Sequence, residues 1–212
     1  MIDLYTWATP NGRKVSVLLE ELGLPYAVHP VHIGKNEQFA PEFLAISPNN
    51  KIPAIVDHDG PDGTPIAVFE SAAIAIYLCD KTGSALLPTD TRARAAVLEW
   101  SMFQMASLGP MFGQLGHFVR FAKEEVPYAI ARYRDEAQRI LGVMEKRLAA
   151  VDYLAGDYSI ADILCYPWVQ TLIDALAPQV PGLLDNTDHV EVWRAKIAAR
   201  PAVKAGMHVP VV

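Results

Sequence analysis

The chain has 212 residues, of which 51% are hydrophobic and 20% are charged, so it can bury a sizeable core and does not belong to the disordered class. Its 18 Lys and Arg stand against 24 Asp and Glu, a net charge of −6 that argues against a nucleic-acid partner. No apolar run of about 18 residues occurs and the N-terminus lacks signal-peptide features, so we expect no membrane span and a cytoplasmic protein.

Neither the cysteines nor the histidines form a metal-binding pattern. Cys79 and Cys165 each sit in an apolar helical pattern, without the spacing of a redox or zinc motif, which favours buried structural thiols. His29 and His32 are three residues apart on a presumed strand and therefore face opposite sides of it. We expect no metal site.

Short strands and helices alternate over residues 1–83. A strand is predicted over residues 2–5, and apolar residues at helical spacing predict a helix over 13–22 that ends at Gly23. Two short apolar runs around Gly60-Pro61-Asp62-Gly63 predict a hairpin. The other predicted elements are a strand over 27–33, a short helix over 41–46, hairpin strands over 54–57 and 65–68, and a helix over 71–81.

This order of elements predicts a mixed sheet with helices packed on it. Parallel strands need a crossover connection, which the helix over residues 13–22 supplies, and the hairpin then adds antiparallel strands. After Gly83 the pattern changes, with a linker over 84–89 and only helices beyond it. The sequence therefore predicts an α/β domain over 1–83 and an all-α domain over 90–212. The helices predicted in the second domain span residues 91–121, 128–151, 159–175 and 190–199.

Two motifs in the first domain carry a family resemblance. Asn49-Asn50-Lys51-Ile52-Pro53-Ala54 precedes a predicted strand, and Phe69-Glu70-Ser71 stands at the start of the next helix. Together they resemble the glutathione site of the glutathione transferase family. The resemblance extends over essentially the whole chain and implies a thioredoxin-like N-terminal domain followed by an all-helical C-terminal domain. It also implies that glutathione is the co-substrate.

The resemblance assigns the γ-glutamyl end of glutathione to Glu70 and Ser71. Ser71 opens a helix, where unpaired N–H groups and the helix dipole favour an anion, so it suits the γ-glutamyl carboxylate. Glu70 is adjacent and suits the ammonium. Each residue also has an ordinary interpretation, since serine is a common helix cap and a surface glutamate is usually just solvated. The combination of both motifs in this order favours the glutathione site.

Four further residues are implied for the rest of glutathione. Pro53 is expected to follow a cis peptide bond by resemblance, so that the backbone of Ile52 pairs with the cysteinyl main chain. Lys51 and Gln38 are expected to reach the glycine carboxylate. A cis bond before any single proline is otherwise uncommon, at about 5–6% of such bonds.

The loop after the first strand should supply the group that activates the glutathione sulfur. A free thiol has a pKa of about 8.5 and reacts as the thiolate, which a helix N-terminus and a hydrogen-bond donor stabilise. The loop offers Thr6, Thr9 and Asn11 as donors and contains no cysteine. Asn11 is equally able to act as an ordinary helix cap, and Tyr5 at the end of the strand is a rival donor, although its side chain is expected to pack beside the core.

Several segments resemble one bacterial branch of the family, the Nu-class glutathione-dependent disulfide-bond oxidoreductases. The first is Thr9-Pro10-Asn11-Gly12, and others are residues 34–39, 47–53 and 126–133. The resemblance implies that Thr9 and Asn11 hold the sulfur and that two glutathione molecules, or their disulfide, are bound. Arg132 of the helical domain is expected to reach the second one. Thiol–disulfide exchange with a small disulfide is the implied reaction.

Two other functions remain open from the sequence alone. A conventional transferase that conjugates glutathione to electrophiles shares the same site, and a non-catalytic glutathione-binding or regulatory protein shares the same fold. A homodimer is expected from the resemblance and from the apolar content of the two small domains. Gln104 is a possible contact to glutathione across that dimer. Ser159 and Asp162 resemble a helix-capping motif of the family with a structural role.

Overall fold

The computed structural model describes residues 1–211, which divide into two compact units. The first comprises Met1–Leu87 together with the C-terminal segment that begins at Ala199, and the second comprises Pro88–Ala198. The sequence places the whole stretch 90–212 in the helical domain, whereas in the structure the segment after Ala199 groups with the α/β unit. Val212, the last residue of that predicted domain, lies outside the described residues.

A four-stranded sheet forms the centre of the first unit. β1 pairs with β2 in parallel and with β3 in antiparallel orientation, so that Leu4 lies opposite Val28 on one side and Ile55 on the other. β3 and β4 form the predicted antiparallel hairpin, and the strand order is β2-β1-β3-β4. The predicted mixed, thioredoxin-like sheet is confirmed. The strands are β1 (Ile2–Thr6), β2 (Tyr26–Pro30), β3 (Ala54–Asp57) and β4 (Ile66–Phe69).

Three helices of the first unit are α1 (Pro10–Leu22), α2 (Pro41–Leu44) and α3 (Ser71–Thr82). α1 begins three residues earlier than the apolar spacing predicts, because Thr9 caps it and Pro10 occupies the first helical position. It ends where predicted, at Gly23, which has the left-handed φ of 62°. The strand predicted over 27–33 ends at Pro30, and short 3₁₀ turns follow at Ile33–Lys35 and Glu37–Phe39.

A last helix, α9 (Pro201–Gly206), packs against α1 within the first unit. The helix backbones approach so closely that a Cβ atom on Gly206 would lie 2.4 Å from the Cα atom of Val17. Ser16 Oγ donates a hydrogen bond to the carbonyl oxygen of Gly206 at 2.7 Å. Arg200 forms a two-pronged ion pair with Glu21, at 2.6 and 2.8 Å. These contacts explain why the C-terminal segment belongs to the α/β unit.

The second unit is helical, as predicted. Its helices are α4 (Thr91–Phe103), α5 (Gly109–Gly116), α6 (Pro127–Leu148), α7 (Ile160–Thr171) and α8 (Asp188–Ala198). The single helix predicted over 91–121 contains two wider, π-helical turns, Gln104–Leu108 and His117–Phe121, and a third follows α7 at Leu172–Leu176. Such turns insert an extra residue into a helix and are frequent near functional sites.

Asp162 anchors the start of α7, as the predicted capping motif requires. Its carboxylate accepts hydrogen bonds from the backbone N–H groups of Ser159 at 3.1 Å and Leu154 at 3.0 Å, and from the indole of Trp193 at 2.8 Å. Ser159 in turn accepts from Ala161 N, so the reciprocal capping box is formed. This confirms the structural role that the sequence assigns to the motif.

α7 and the turns after it form the most apolar stretch of the chain. By length and composition, Ile160–Gln179 is sufficient to cross a membrane, yet 61% of its apolar window is buried inside the structure. The stretch begins at the capping box of Asp162 and contains Pro167. A buried core helix has the same composition, and α7 packs against α4, α5 and α8 within the second unit.

Candidate functional site

The loop between β1 and α1 closes tightly over the start of α1. A Cβ atom on Gly12 would lie 2.3 Å from the carbonyl oxygen of Trp7 and 2.4 Å from Thr6 Oγ1, so only glycine fits there. The carbonyl oxygen of Thr6 accepts a hydrogen bond from Val31 N at 2.8 Å, which ties the loop to the chain beyond β2. The loop therefore presents the N-terminus of α1 in a fixed geometry.

Thr9 and Asn11, the two predicted sulfur ligands, occupy different positions at this N-terminus. Thr9 Oγ1 accepts a hydrogen bond from Gly12 N at 3.2 Å, which makes Thr9 the cap of α1. Asn11 is the second helical residue and is half-buried. The capping role that the sequence leaves open for Asn11 thus belongs to Thr9. A hydroxyl that accepts a bond keeps its own hydrogen, so capping leaves Thr9 able to donate.

Tyr5, the rival donor, packs as the sequence expects. Its ring stacks on His29 with centroids 4.8 Å apart, and it lies against the buried cluster that contains Phe43. Burial, assisted by the charge of Asp3, raises the pKa of Tyr5. A phenol with a raised pKa is a weaker acid, which does not favour Tyr5 as the donor to the glutathione sulfur.

The peptide bond between Ile52 and Pro53 is cis, as the resemblance implies. Ile52 packs against the same cluster of Val31, Phe43 and Ala54, and Ser47 Oγ donates to the carbonyl oxygen of Lys51 at 2.8 Å. The side chain of Lys51 is exposed. The backbone of this segment is thus held from both sides, while the lysine ammonium extends toward solvent.

Two half-buried polar side chains near these segments have buried atoms that find no hydrogen-bond partner within residues 1–211. They are Gln38 Oε1, in the 3₁₀ turn Glu37–Phe39, and Arg13 Nε, two residues after Asn11 in α1. Buried polar atoms in proteins nearly always pair with protein groups, water or a ligand, so Gln38 Oε1 can accept and Arg13 Nε can donate one further hydrogen bond. Gln38 is a predicted glutathione ligand, whereas sequence reasoning does not identify Arg13.

Glu70 and Ser71 form a strained turn between β4 and α3. Glu70 has φ 71° and ψ 116°, a conformation that costs a residue with a side chain about 1–3 kcal/mol, and Ser71 is the first residue of α3. Asn49 Nδ2 donates to Glu70 Oε1 at 3.3 Å, which links the two sequence motifs. Strain of this kind is typical of binding and active sites.

Lys14 is a residue of this region that the sequence analysis misses. Its side chain is only 2% exposed, and its Nζ donates to Ser71 Oγ at 3.4 Å. Its position in the sequence could have identified it, because Lys14 directly precedes the mostly apolar stretch Val15–Leu19 of α1, and all of that stretch is buried. A lysine that opens such a stretch is expected to extend its ammonium to solvent, and here it does not.

Arg132 lies on α6 in the second unit and is exposed. It lines a cavity of about 630 Å³ within that unit, together with Met111, Tyr128 and Arg139. This cavity is mixed in character, because two guanidinium groups and the carboxylates of Asp135 and Glu136 border aromatic and thioether surface, and Glu136 is paired with Arg139. Gln104 differs from its expected role, because its side chain is fully buried and cannot reach a ligand held by another subunit.

The cysteines are buried, as predicted. Cys79 is 1% and Cys165 0% exposed, and neither forms a disulfide. Within residues 1–211, no group of three or more His, Cys, Asp or Glu side chains has the arrangement of a metal site. His29 and His58 instead contact the two oxygens of the Asp3 carboxylate, at 3.1 and 2.7 Å.

Comparison with known proteins agrees with these motifs. The family model described as "Glutathione S-transferase, N-terminal domain" matches residues 8–81, and "Glutathione S-transferase, C-terminal domain" matches residues 108–201. Disulfide-bond oxidoreductase YfcG of Escherichia coli is 49% identical over 209 residues, which are 95% of this chain and 92% of that protein. The predicted resemblance to the disulfide-bond oxidoreductase branch is thereby confirmed.

Solved structures give the same result. A glutathione transferase from Burkholderia graminis, with two glutathione molecules bound per subunit, is 48% identical with a TM-score of 0.94, covering 99% of this chain and 88% of that one. A glutathione transferase from Pseudomonas putida, with one glutathione disulfide bound per subunit, is 44% identical with a TM-score of 0.94, covering 99% and 91%. Together with the two domain matches, these similarities show that the chain belongs to the glutathione S-transferase family.

Proposed function

We propose that this chain is a glutathione-dependent disulfide-bond reductase. The observation that carries glutathione binding is the strained turn at Glu70, which precedes the buried Ser71 at the N-terminus of α3. The support for the reaction is the 49% identity to a protein named a disulfide-bond oxidoreductase. Similar structures hold two glutathione molecules or one glutathione disulfide per subunit.

The first glutathione is bound along one edge of the α/β unit in this proposal. Ser71 and the N–H groups of α3 hold the γ-glutamyl carboxylate, and Glu70 takes the ammonium. The backbone of Ile52, before Pro53, pairs with the cysteinyl main chain. Two polar side chains, Gln38 and Lys51, bind the glycine carboxylate.

The sulfur lies at the N-terminus of α1, where Asn11 and Thr9 donate to it. A thiolate is stabilised there by the helix dipole and by hydrogen-bond donors, which lowers the pKa of the thiol. Arg132 binds a carboxylate of the second glutathionyl unit through its planar, doubly donating guanidinium.

The reaction takes two exchange steps. The glutathione thiolate attacks one sulfur of a small disulfide, forms a mixed disulfide and expels the other sulfur as a thiolate. A second glutathione thiolate then attacks the glutathione sulfur of the mixed disulfide, so glutathione disulfide forms and the second half of the substrate leaves as a thiolate. Both electrons come from the two glutathione molecules. No protein thiol is needed, in keeping with the burial of Cys79 and Cys165.

Steady-state kinetics with two co-substrates test the reaction. We expect turnover of bis(hydroxyethyl) disulfide with glutathione to exceed conjugation of a chlorodinitrobenzene, and Asn11→Ala to lower the disulfide rate by about tenfold or more. Gln179→Ala, which removes an exposed amide in the 3₁₀ turn Ala177–Gln179 of the second unit, is the control that should keep the wild-type rate. Strong conjugation with negligible disulfide reduction would instead identify a conventional transferase. If the protein showed neither turnover nor a thermal shift with millimolar glutathione, both disulfide reduction and conjugation would be contradicted.

We further propose that the protein acts as a homodimer in the cytoplasm. The helical unit exposes large apolar side chains, among them Met102 and Phe121, which a second copy of the chain would cover. Light scattering at micromolar concentration is expected to give twice the mass of one chain. A monomer under those conditions would contradict the dimer.

A further inference from the structure

Lys14 and Ser71 form a buried polar contact between α1 and α3. The side chains are 2% and 3% exposed, respectively, and Lys14 Nζ donates to Ser71 Oγ at 3.4 Å. The two helices pack side by side on the sheet of the first unit. The ammonium group therefore lies behind Ser71, inside the protein.

The chemistry of an ammonium group fixes the direction of this contact. Lysine has three N–H donors and no acceptor, so Ser71 Oγ accepts the hydrogen bond. The bond occupies one lone pair of the hydroxyl and turns its hydrogen away from Lys14. A hydroxyl oriented in this way is suited to donate to an anion rather than to accept from a cation.

The buried charge also acts directly on any anion bound at Ser71. Charges interact more strongly in the protein interior than in water, because the effective dielectric constant is lower there. A buried ammonium is stabilised by each negative group close to it. A carboxylate bound at the N-terminus of α3 would therefore gain attraction from Lys14 in addition to that of the helix N–H groups.

We propose that Lys14 is a positioning residue for the γ-glutamyl α-carboxylate of glutathione, acting through Ser71. The proposal rests on the binding function proposed above. Lys14 orients the Ser71 hydroxyl and adds a positive charge behind it, so the site selects ligands that carry a carboxylate at this position. A purely structural lysine would affect all ligands of the site alike.

Calorimetric titration with two ligands separates these roles. The first ligand is glutathione and the second is γ-aminobutyryl-cysteinylglycine, which lacks only the α-carboxylate. Lys14→Met and Lys14→Gln both remove the positive charge and are expected to weaken glutathione binding by about tenfold, while they change binding of the second ligand less than twofold. Lys14→Arg keeps the charge and should retain most of the affinity for glutathione.

The matched control is Lys204→Met, which removes an exposed lysine on α9 of the same unit and should leave both affinities unchanged. Equal losses for the two ligands, or wild-type affinity in folded Lys14→Gln protein, would overturn the proposal. Lys14→Gln covers the case in which Lys14→Met does not fold, since its amide can still bond to Ser71. If wild-type protein fails to bind glutathione, the proposed function itself fails, and Lys14 has no ligand to position.

Discussion

At the scale of single residues, Asp162 links the chemistry of one carboxyl group to the stability of the helical unit. Burial raises its pKa from the usual 3.8 to about 6, although the N–H groups of Leu154, Trp193 and Ser159 act in the opposite direction. The folded protein therefore holds this proton over a range of pH in which the unfolded chain has released it. As the pH rises from about 4 to above 6, ionisation of Asp162 lowers the free energy of unfolding. The total decrease is about 3 kcal/mol.

Asp162→Asn provides the test, because asparagine has a similar shape and does not titrate. The variant is expected to be less stable than the wild type throughout, since its amide cannot accept all the hydrogen bonds of the carboxylate. The difference in unfolding free energy should nevertheless shrink by about 2.5 kcal/mol from pH 4 to pH 7. Urea unfolding of both proteins at several pH values measures it. A difference that widens with pH would show that the hydrogen bonds outweigh burial.

Residues with a functional role differ in how far sequence alone identifies them. The segment around Ile52 and Pro53 and the pair Glu70 and Ser71 stand in recognisable motifs, so the sequence predicts them. Lys14 does not, because burial of a charged side chain is decided by the tertiary packing of α1 on α3. The strain at Glu70 is not predicted from sequence either, because glutamate does not indicate a positive φ as glycine or asparagine does.

At the scale of elements, α9 shows how one close contact decides the position of a segment. A Cβ atom on Gly206 would meet the backbone of Val17 at 2.4 and 2.5 Å, and a backbone cannot turn aside as a flexible side chain can. Gly206→Ala is expected to push α9 away from α1, weaken the bond from Ser16 Oγ and cost about 1–3 kcal/mol.

The matched control for this substitution is Gly142→Ala on α6. No atom lies within 4 Å of the added methyl group there, and alanine in a helix interior is favoured over glycine by about 1 kcal/mol. Thermal unfolding should thus show a lower midpoint for Gly206→Ala and an unchanged or higher one for Gly142→Ala. A wild-type midpoint for Gly206→Ala would mean that α9 does not depend on this close approach.

The strands and most helices follow from sequence periodicity, and the exceptions have physical causes. The β3 strand is predicted with its observed bounds, and the β4 strand is displaced by one residue. The π-helical turns Gln104–Leu108 and His117–Phe121 are not predicted, because the apolar spacing remains helical on each side of them. α9 is too short to give a periodic signal, and its stability comes from packing on α1.

At the scale of the whole molecule, the two units carry different parts of the proposed function. The α/β unit contains the proposed site of the first glutathione, between the N-termini of α1 and α3. The helical unit contributes Arg132 and its cavity of about 630 Å³. Binding of the first glutathione is supported by motif, geometry and family together, whereas the choice of disulfide reduction depends on Thr9, Asn11 and Arg132.

A crystal structure of the protein soaked with glutathione disulfide tests this account most directly. We predict one glutathionyl unit with its γ-glutamyl carboxylate at Ser71 and its sulfur near Asn11, and a second unit with a carboxylate at Arg132. A single glutathionyl unit, with Arg132 remote from it, would favour a conventional transferase. Glutathione bound away from Glu70 and Ser71, or no binding at millimolar concentration, would contradict the account.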